Sequence, residues 1–164
     1  MAELTQGERL QPSLLDRLVD DEPKLASGVN QTINTRQLKG FVKRDLALLL
    51  NSCCLEDVLD LSALPLVSDS VLNYGMPELT GIVASTVDTH ILERKLINVI
   101  TRFEPRIIKR SLRIKIITSD EMSRNALRFE IECDVWGQPV PERMYLFSEI
   151  DLESGTFKLQ EQNG

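Results

Sequence analysis

The residues of this chain whose types and spacing could do chemistry lie in Thr-Arg-Phe-Glu-Pro-Arg, positions 101 to 106, where Glu104 is bracketed by Arg102 and Arg106. A carboxylate that cleaves a glycosidic bond works as a general acid beside a second carboxylate about 5–9.5 Å away. That acid must hold its proton near neutral pH, whereas a neighbouring guanidinium favours the ionised form. Glu104 therefore reads better as half of an ion pair. Arg106 can meet it bidentately, and Arg102 is equally near in sequence. An internal fastener and a contact to a partner both remain open readings. His90 is the one histidine, on the polar side of a helical pattern, and no serine sits in a nucleophile elbow. Three cysteines, two of them adjacent (Cys53, Cys54 and Cys133), form neither a disulfide framework nor, with a single histidine, a zinc site. They are expected as buried, reduced thiols. No phosphate-cradling glycine loop is present in the sequence, so no catalytic residue, metal or cofactor is expected.

The elements that must position this corner are legible as a change of period. Thr35 to Asn51 places Leu38, Phe41, Val42, Leu48 and Leu49 at helical spacing, with Lys39, Lys43 and Arg44 away from them. Thr35 is the expected N-cap, and Gly40, costly in mid-helix, suggests a close backbone contact. A second helix is expected from Val87 to Arg102, with Val87, Ile91, Leu92, Leu96, Val99, Ile100 and Phe103 on one stripe. It must stop by Glu104, because a residue before proline is pushed out of the α region. Between the helices, Asn73, Gly75 and Pro77 mark a tight, irregular connection.

From Ser111 the period is two. Leu112, Ile114 and Ile116 alternate with Arg113 and Lys115, and Leu127, Phe129, Ile131, Cys133 and Val135 alternate with Arg128, Glu130, Glu132 and Asp134. Met144, Leu146 and Ile150 alternate with Tyr145, Phe147, Glu149 and Asp151, and Glu153-Ser154-Gly155-Thr156 turns the chain into a last strand. The basic first strand and the acidic second are natural neighbours. The fold class is α+β: N-terminal helices packed on one face of a C-terminal antiparallel sheet of about four strands.

Residues 1 to 34 read as an arm with one short helix, in which Leu14, Leu15 and Leu18 share a face, and 35 to 164 as the domain. That short helix docks either on its own domain or on a partner. The net charge of −6 does not favour nucleic acid. The basic run of Arg106, Lys109, Arg110, Arg113 and Lys115 lacks the aromatic interleaving that stacks bases. It reads as a solvated face with a cross-strand charge ladder. No apolar run reaches the roughly 20 residues of a membrane span, and the N-terminus has no basic segment followed by an apolar one, so no secretory signal is expected.

Four segments in order, PSLLDRL, RDLALLLNS, SVLNYGMPELTG and VITRFEPRI, together resemble the TssE baseplate component of bacterial type VI secretion systems. That family is similar to the phage baseplate wedge protein historically called lysozyme-like. The Glu-Pro-Arg core falls at Glu104, Pro105 and Arg106. One departure is Asn51-Ser52-Cys53, where the family commonly continues Asn-Thr-Arg, which puts any role of that arginine in doubt here. The resemblance implies a cytoplasmic, nonenzymatic wedge subunit. It would join TssF, TssG and TssK through Phe103, Glu104, Pro105, Arg106 and the arm leucines Leu14, Leu15 and Leu18. Its C-terminal strands would seed the contractile sheath of TssB and TssC. The alternative is a peptidoglycan-cleaving hydrolase using Glu104.

Overall fold

In a computed structural model, residues 33–80, 88–117, 126–137 and 140–161 are described. The expected arm helix with Leu14, Leu15 and Leu18, and the expected helix start at Val87, lie outside these residues. The first long helix, α1, spans Thr35–Leu50. Its N-cap is Asn34, not Thr35: Asn34 is extended, and its side chain accepts the Gln37 N–H at 2.8 Å while Gln37 Oε1 accepts the Asn34 N–H at 2.9 Å. This reciprocal box satisfies two donors that a helix start leaves free. Leu38, Val42, Leu46, Leu49 and Leu50 are buried. Leu48, expected in the core, is 52% exposed, because it lies roughly 240° around the helix from Val42. Gly40 makes no close contact; a Cβ built there meets nothing within 4 Å.

A short helix, α2, spans Pro65–Ser68 between two single 3₁₀ turns, Leu55–Asp57 and Val71–Asn73. Two devices hold this segment. The buried Asn73 side chain accepts the Glu56 N–H at 3.0 Å and donates to the Ser68 carbonyl at 3.1 Å. Met76 then bridges in parallel to Cys53, with its N–H on the Ser52 carbonyl at 2.7 Å and its own carbonyl accepting the Cys54 N–H at 3.1 Å. This clasp requires Gly75, whose φ is +131 and where any Cβ would run into the Ser52 carbonyl.

Helix α3 spans Thr89–Phe103, capped by Asp88, which accepts the Ile91 N–H at 3.1 Å. Leu92, Leu96 and Ile100, four residues apart, are its buried face, while Ile91, expected on the same stripe, is exposed. The sheet has the order β1-β2-β3-β4 and is antiparallel throughout, with strands Arg113–Ile117, Ala126–Val135, Glu142–Asp151 and Thr156–Glu161. Arg113 stands opposite Glu132 and Lys115 opposite Glu130. The ion pairs across this face are made by other arginines, Arg128 to Glu149 at 2.9 Å and Arg143 to Asp134 at 3.3 Å. On the inner face Phe129, Ile131, Cys133, Val135, Met144, Leu146 and Ile150 join the buried sides of α1 and α3 in one core. Cys54 and Cys133 are buried as expected; Cys53 is exposed, since its backbone rather than its side chain is used by the clasp. The architecture is α+β, with N-terminal helices ahead of a four-stranded antiparallel sheet.

Candidate functional site

The charged corner forms where α3 stops. Phe103 is the last helical residue, and Glu104 leaves the α region at φ −120 and ψ 81, its N–H still bonded to the Ile100 carbonyl at 2.9 Å. Pro105 enforces the break. A carboxylate at a helix C-terminus faces the negative end of the dipole, and this one is only 3% exposed. Arg106 compensates. Its Nε donates to Glu104 Oε1 at 2.7 Å, its Nη2 to Oε2 at 2.5 Å, and its backbone N–H to Oε1 at 3.2 Å. Nη2 also reaches Asp45 Oδ2 on α1 at 2.6 Å, and Arg44 holds the other Asp45 oxygen at 2.7 Å. Burial works against the Arg106 charge, but the paired Glu104 and Asp45 outweigh it and push the guanidinium pKa above its usual value. Its Nη1 is buried without a partner among the described residues.

Sequence left two arginines open as partners for Glu104, and the structure brings together Glu104 and Arg106. Arg102 instead donates to the Ser68 carbonyl at 2.8 Å and pairs with Asp69 at 2.8 Å. Phe103 meets Tyr74 edge to face at 5.3 Å. Burial, then the nearby Asp45 and Glu104 charges, push the Tyr74 phenol up. Pro105 is exposed. Beyond it the corner is stitched to the end of β2: Trp136 N–H donates to the Arg106 carbonyl at 2.7 Å, Ile107 bridges to Val135, and Ile108 N–H donates to the Asp134 carbonyl at 2.9 Å. Both Glu104 oxygens are engaged as acceptors by Arg106. His90 faces solvent, 3.6 Å from Glu93. Among the described residues no group of His, Cys, Asp and Glu is arranged to hold a metal. Leu14, Leu15 and Leu18 lie outside the described residues.

Sequence reasoning missed the surface beside this corner. Val58, Leu59, Leu64, Leu66, Val71 and Leu72 are 46–87% exposed, all within α2 and the segments that flank it. Exposed apolar side chains this close together in sequence stand out against scattered single ones. The available signal was aliphatic residues with no period, bounded by Asp and Ser. Arg102 links this bulge to α3 through Ser68 and Asp69.

The remaining feature is the sheet edge. The Asn51 side chain accepts the Phe157 N–H at 2.9 Å and donates to the Phe157 carbonyl at 3.1 Å, so the end of α1 is laid against β4. At the opposite edge Glu93 of α3 accepts the Ile116 N–H of β1 at 3.0 Å.

Residues 36–140 match the family described as baseplate wedge protein gp25. The match takes in α1, α2, α3, the Glu104–Arg106 corner, β1 and β2. No curated protein and no solved structure gives a significant match.

Proposed function

Because the chain belongs to the baseplate wedge protein gp25 family, which is the TssE family, we propose that it is a nonenzymatic, cytoplasmic wedge subunit of a type VI secretion baseplate. In this reading it joins the wedge proteins TssF, TssG and TssK. The surface used is the α2 bulge together with Phe103, Pro105 and the solvent side of the Glu104–Arg106 pair, with the arm leucines Leu14, Leu15 and Leu18 as a further anchor. The C-terminal strands then seed the sheath of TssB and TssC by accepting a strand. The observation that carries the reading is the inversion at the α2 segment: six large aliphatic side chains turn outward beside a corner whose charges are spent on one another. An assembly subunit needs apolar surface for partners, and a hydrolase needs an available acid. The hydrolase alternative finds no support in a Glu104 that is buried and doubly bonded. No helix among the described residues is long and apolar enough to cross a membrane.

The test uses Leu66→Glu, at a side chain 87% exposed. Stability should change by no more than about 0.5 kcal/mol, as for other surface substitutions, while copurification of wedge partners from the native cell is lost. Unchanged copurification would remove the bulge from the interface. In parallel, deletion from Thr156 onward is expected to stop sheath elongation while wedge binding persists. Turnover of labelled peptidoglycan by the purified chain, abolished in Glu104→Gln, would overturn the nonenzymatic reading.

A further inference from the structure

We propose that the α2 segment docks a cationic amphipathic helix of another protein, one whose aliphatic stripe is bordered by lysines and arginines. This rests on the partner-binding reading of that segment given above and adds the kind of partner it takes.

The first observation is charge. From Asp45 to Thr89 the sequence holds seven carboxylates and not one lysine, arginine or histidine, although the chain has 19 lysines and arginines in all. Glu56, Asp57, Asp60 and Asp69 are exposed and interleave with the outward aliphatics. Arg102 reaches in from α3 and neutralises Asp69 at 2.8 Å. Glu56, Asp57 and Asp60 have no cation within ion-pair distance among the described residues. Aliphatic side chains bordered by uncompensated carboxylates ask for a partner that is apolar at its centre and positive at its rim.

The second observation is the backbone. The N–H groups of Val58, Leu59, Leu64, Val67, Ser68 and Asp69 are all bonded inside the segment at 2.8–3.0 Å, and Pro65 has none. The segment therefore offers side chains to a partner and not a ladder of free donors. An extended partner would leave its own backbone groups unpaired there, which is costly once water is excluded. A helix satisfies its backbone internally and presents an aliphatic face at i, i+3, i+4 and i+7. Charge also selects between the chain's own segments and a foreign one. Residues 1–32 carry six carboxylates against three basic residues, and a second copy brings a net charge of −6. Both set like charge against the acidic rim, whereas a basic helix is steered toward it.

The probes are two synthetic helical peptides of about four turns. Both have leucines at i, i+3, i+4 and i+7 spacing; one carries lysine and its twin glutamate at every other position. Backbone amide shifts of the full chain are recorded with each. The lysine peptide should move the amides of residues 55–72 and bind about tenfold tighter than the glutamate twin at low salt, the gap closing as salt screens it. Glu56→Lys keeps every aliphatic and should weaken the lysine peptide about threefold, while Leu66→Ser weakens both peptides. Equal affinity of the twins, or shifts centred elsewhere on the acidic surface, would overturn the proposal. If Leu66→Glu leaves wedge partners copurifying, the partner-binding reading itself fails. If it removes them but the twins bind alike, only the cationic character of the partner is overturned. Two further results on the peptide-free chain would also overturn it. Movement of the same amides on replacing Leu14 and Leu15 by glutamate assigns the surface to the arm, and their movement on concentrating the chain assigns it to a second copy.

Discussion

Replacing Arg106 by leucine keeps apolar bulk but leaves the Glu104 carboxylate, 3% exposed, without its guanidinium. Removing one member of a buried ion pair typically costs about 3–5 kcal/mol, since the charge left behind is uncompensated. The lower end applies here. The Arg106 side chain retains 23% exposure, so water screens part of the pair, and Asp45 keeps Arg44 when Arg106 is gone. The expected loss is about 3 kcal/mol, or roughly 6–12 °C in Tm for a chain of this size. The double replacement Glu104→Leu with Arg106→Leu removes both charges and should recover about 2 kcal/mol of that loss, because a buried pair exchanged for apolar groups is often close to neutral. Urea unfolding followed by fluorescence measures both. Trp136 is the one tryptophan, and its N–H bonds to the Arg106 carbonyl, so it reports on the corner directly. A single-replacement cost under about 1 kcal/mol would refute the reasoning, by placing the pair in the weak range of solvent-exposed salt bridges. So would a double variant no more stable than the single.

Alkaline pH is expected to unfold the protein through its thiols. Burial, reinforced by Asp134, Glu104 and Glu132, pushes Cys133 from 9.0 up to about 12. The fold holds the neutral thiol, so this contribution is intact below pH 9 and declines as the unfolded chain ionises first; at about 1.4 kcal/mol per pH unit the loss is on the order of 4 kcal/mol by pH 12. Cys133→Val should flatten the fall of the urea midpoint above pH 9, and an unchanged slope would remove Cys133 as its source. Gly75→Ala places a side chain at φ +131 against the Ser52 carbonyl. It should cost about 3 kcal/mol or more, from backbone strain plus the clash, seen as a Tm drop much larger than that of an alanine at the open Gly40.

The sheet was the most legible part of the fold, because a period of two assigns each side chain to a face and the charges suggest which strand lies beside which. Arg113 and Lys115 do stand opposite Glu132 and Glu130. Helix faces were legible less finely. Leu48 and Ile91 are counted on the apolar stripes by helical spacing, but they sit at the stripe margins, and the fold leaves both exposed. The N-cap moved by one residue because Gln37 can close a box only with Asn34. At the corner, sequence offered two arginines of equal separation from Glu104. The choice depends on Ser68 and Asp69, which are brought to Arg102 only by the fold. The Asn51–Phe157 bonds span 106 residues and leave no local pattern. The outward aliphatics of the α2 segment were hidden for a different reason. Apolar residues that the fold leaves exposed have the same composition as those that face a core.

The Arg106 guanidinium touches α1 through Asp45 and the end of α3 through Glu104, and the same residue's carbonyl receives the turn that follows β2. Three pieces of the molecule thus meet at one residue. Loss of the Arg106 contacts is therefore expected to loosen the two helices and the end of β2 together, not one helix at a time.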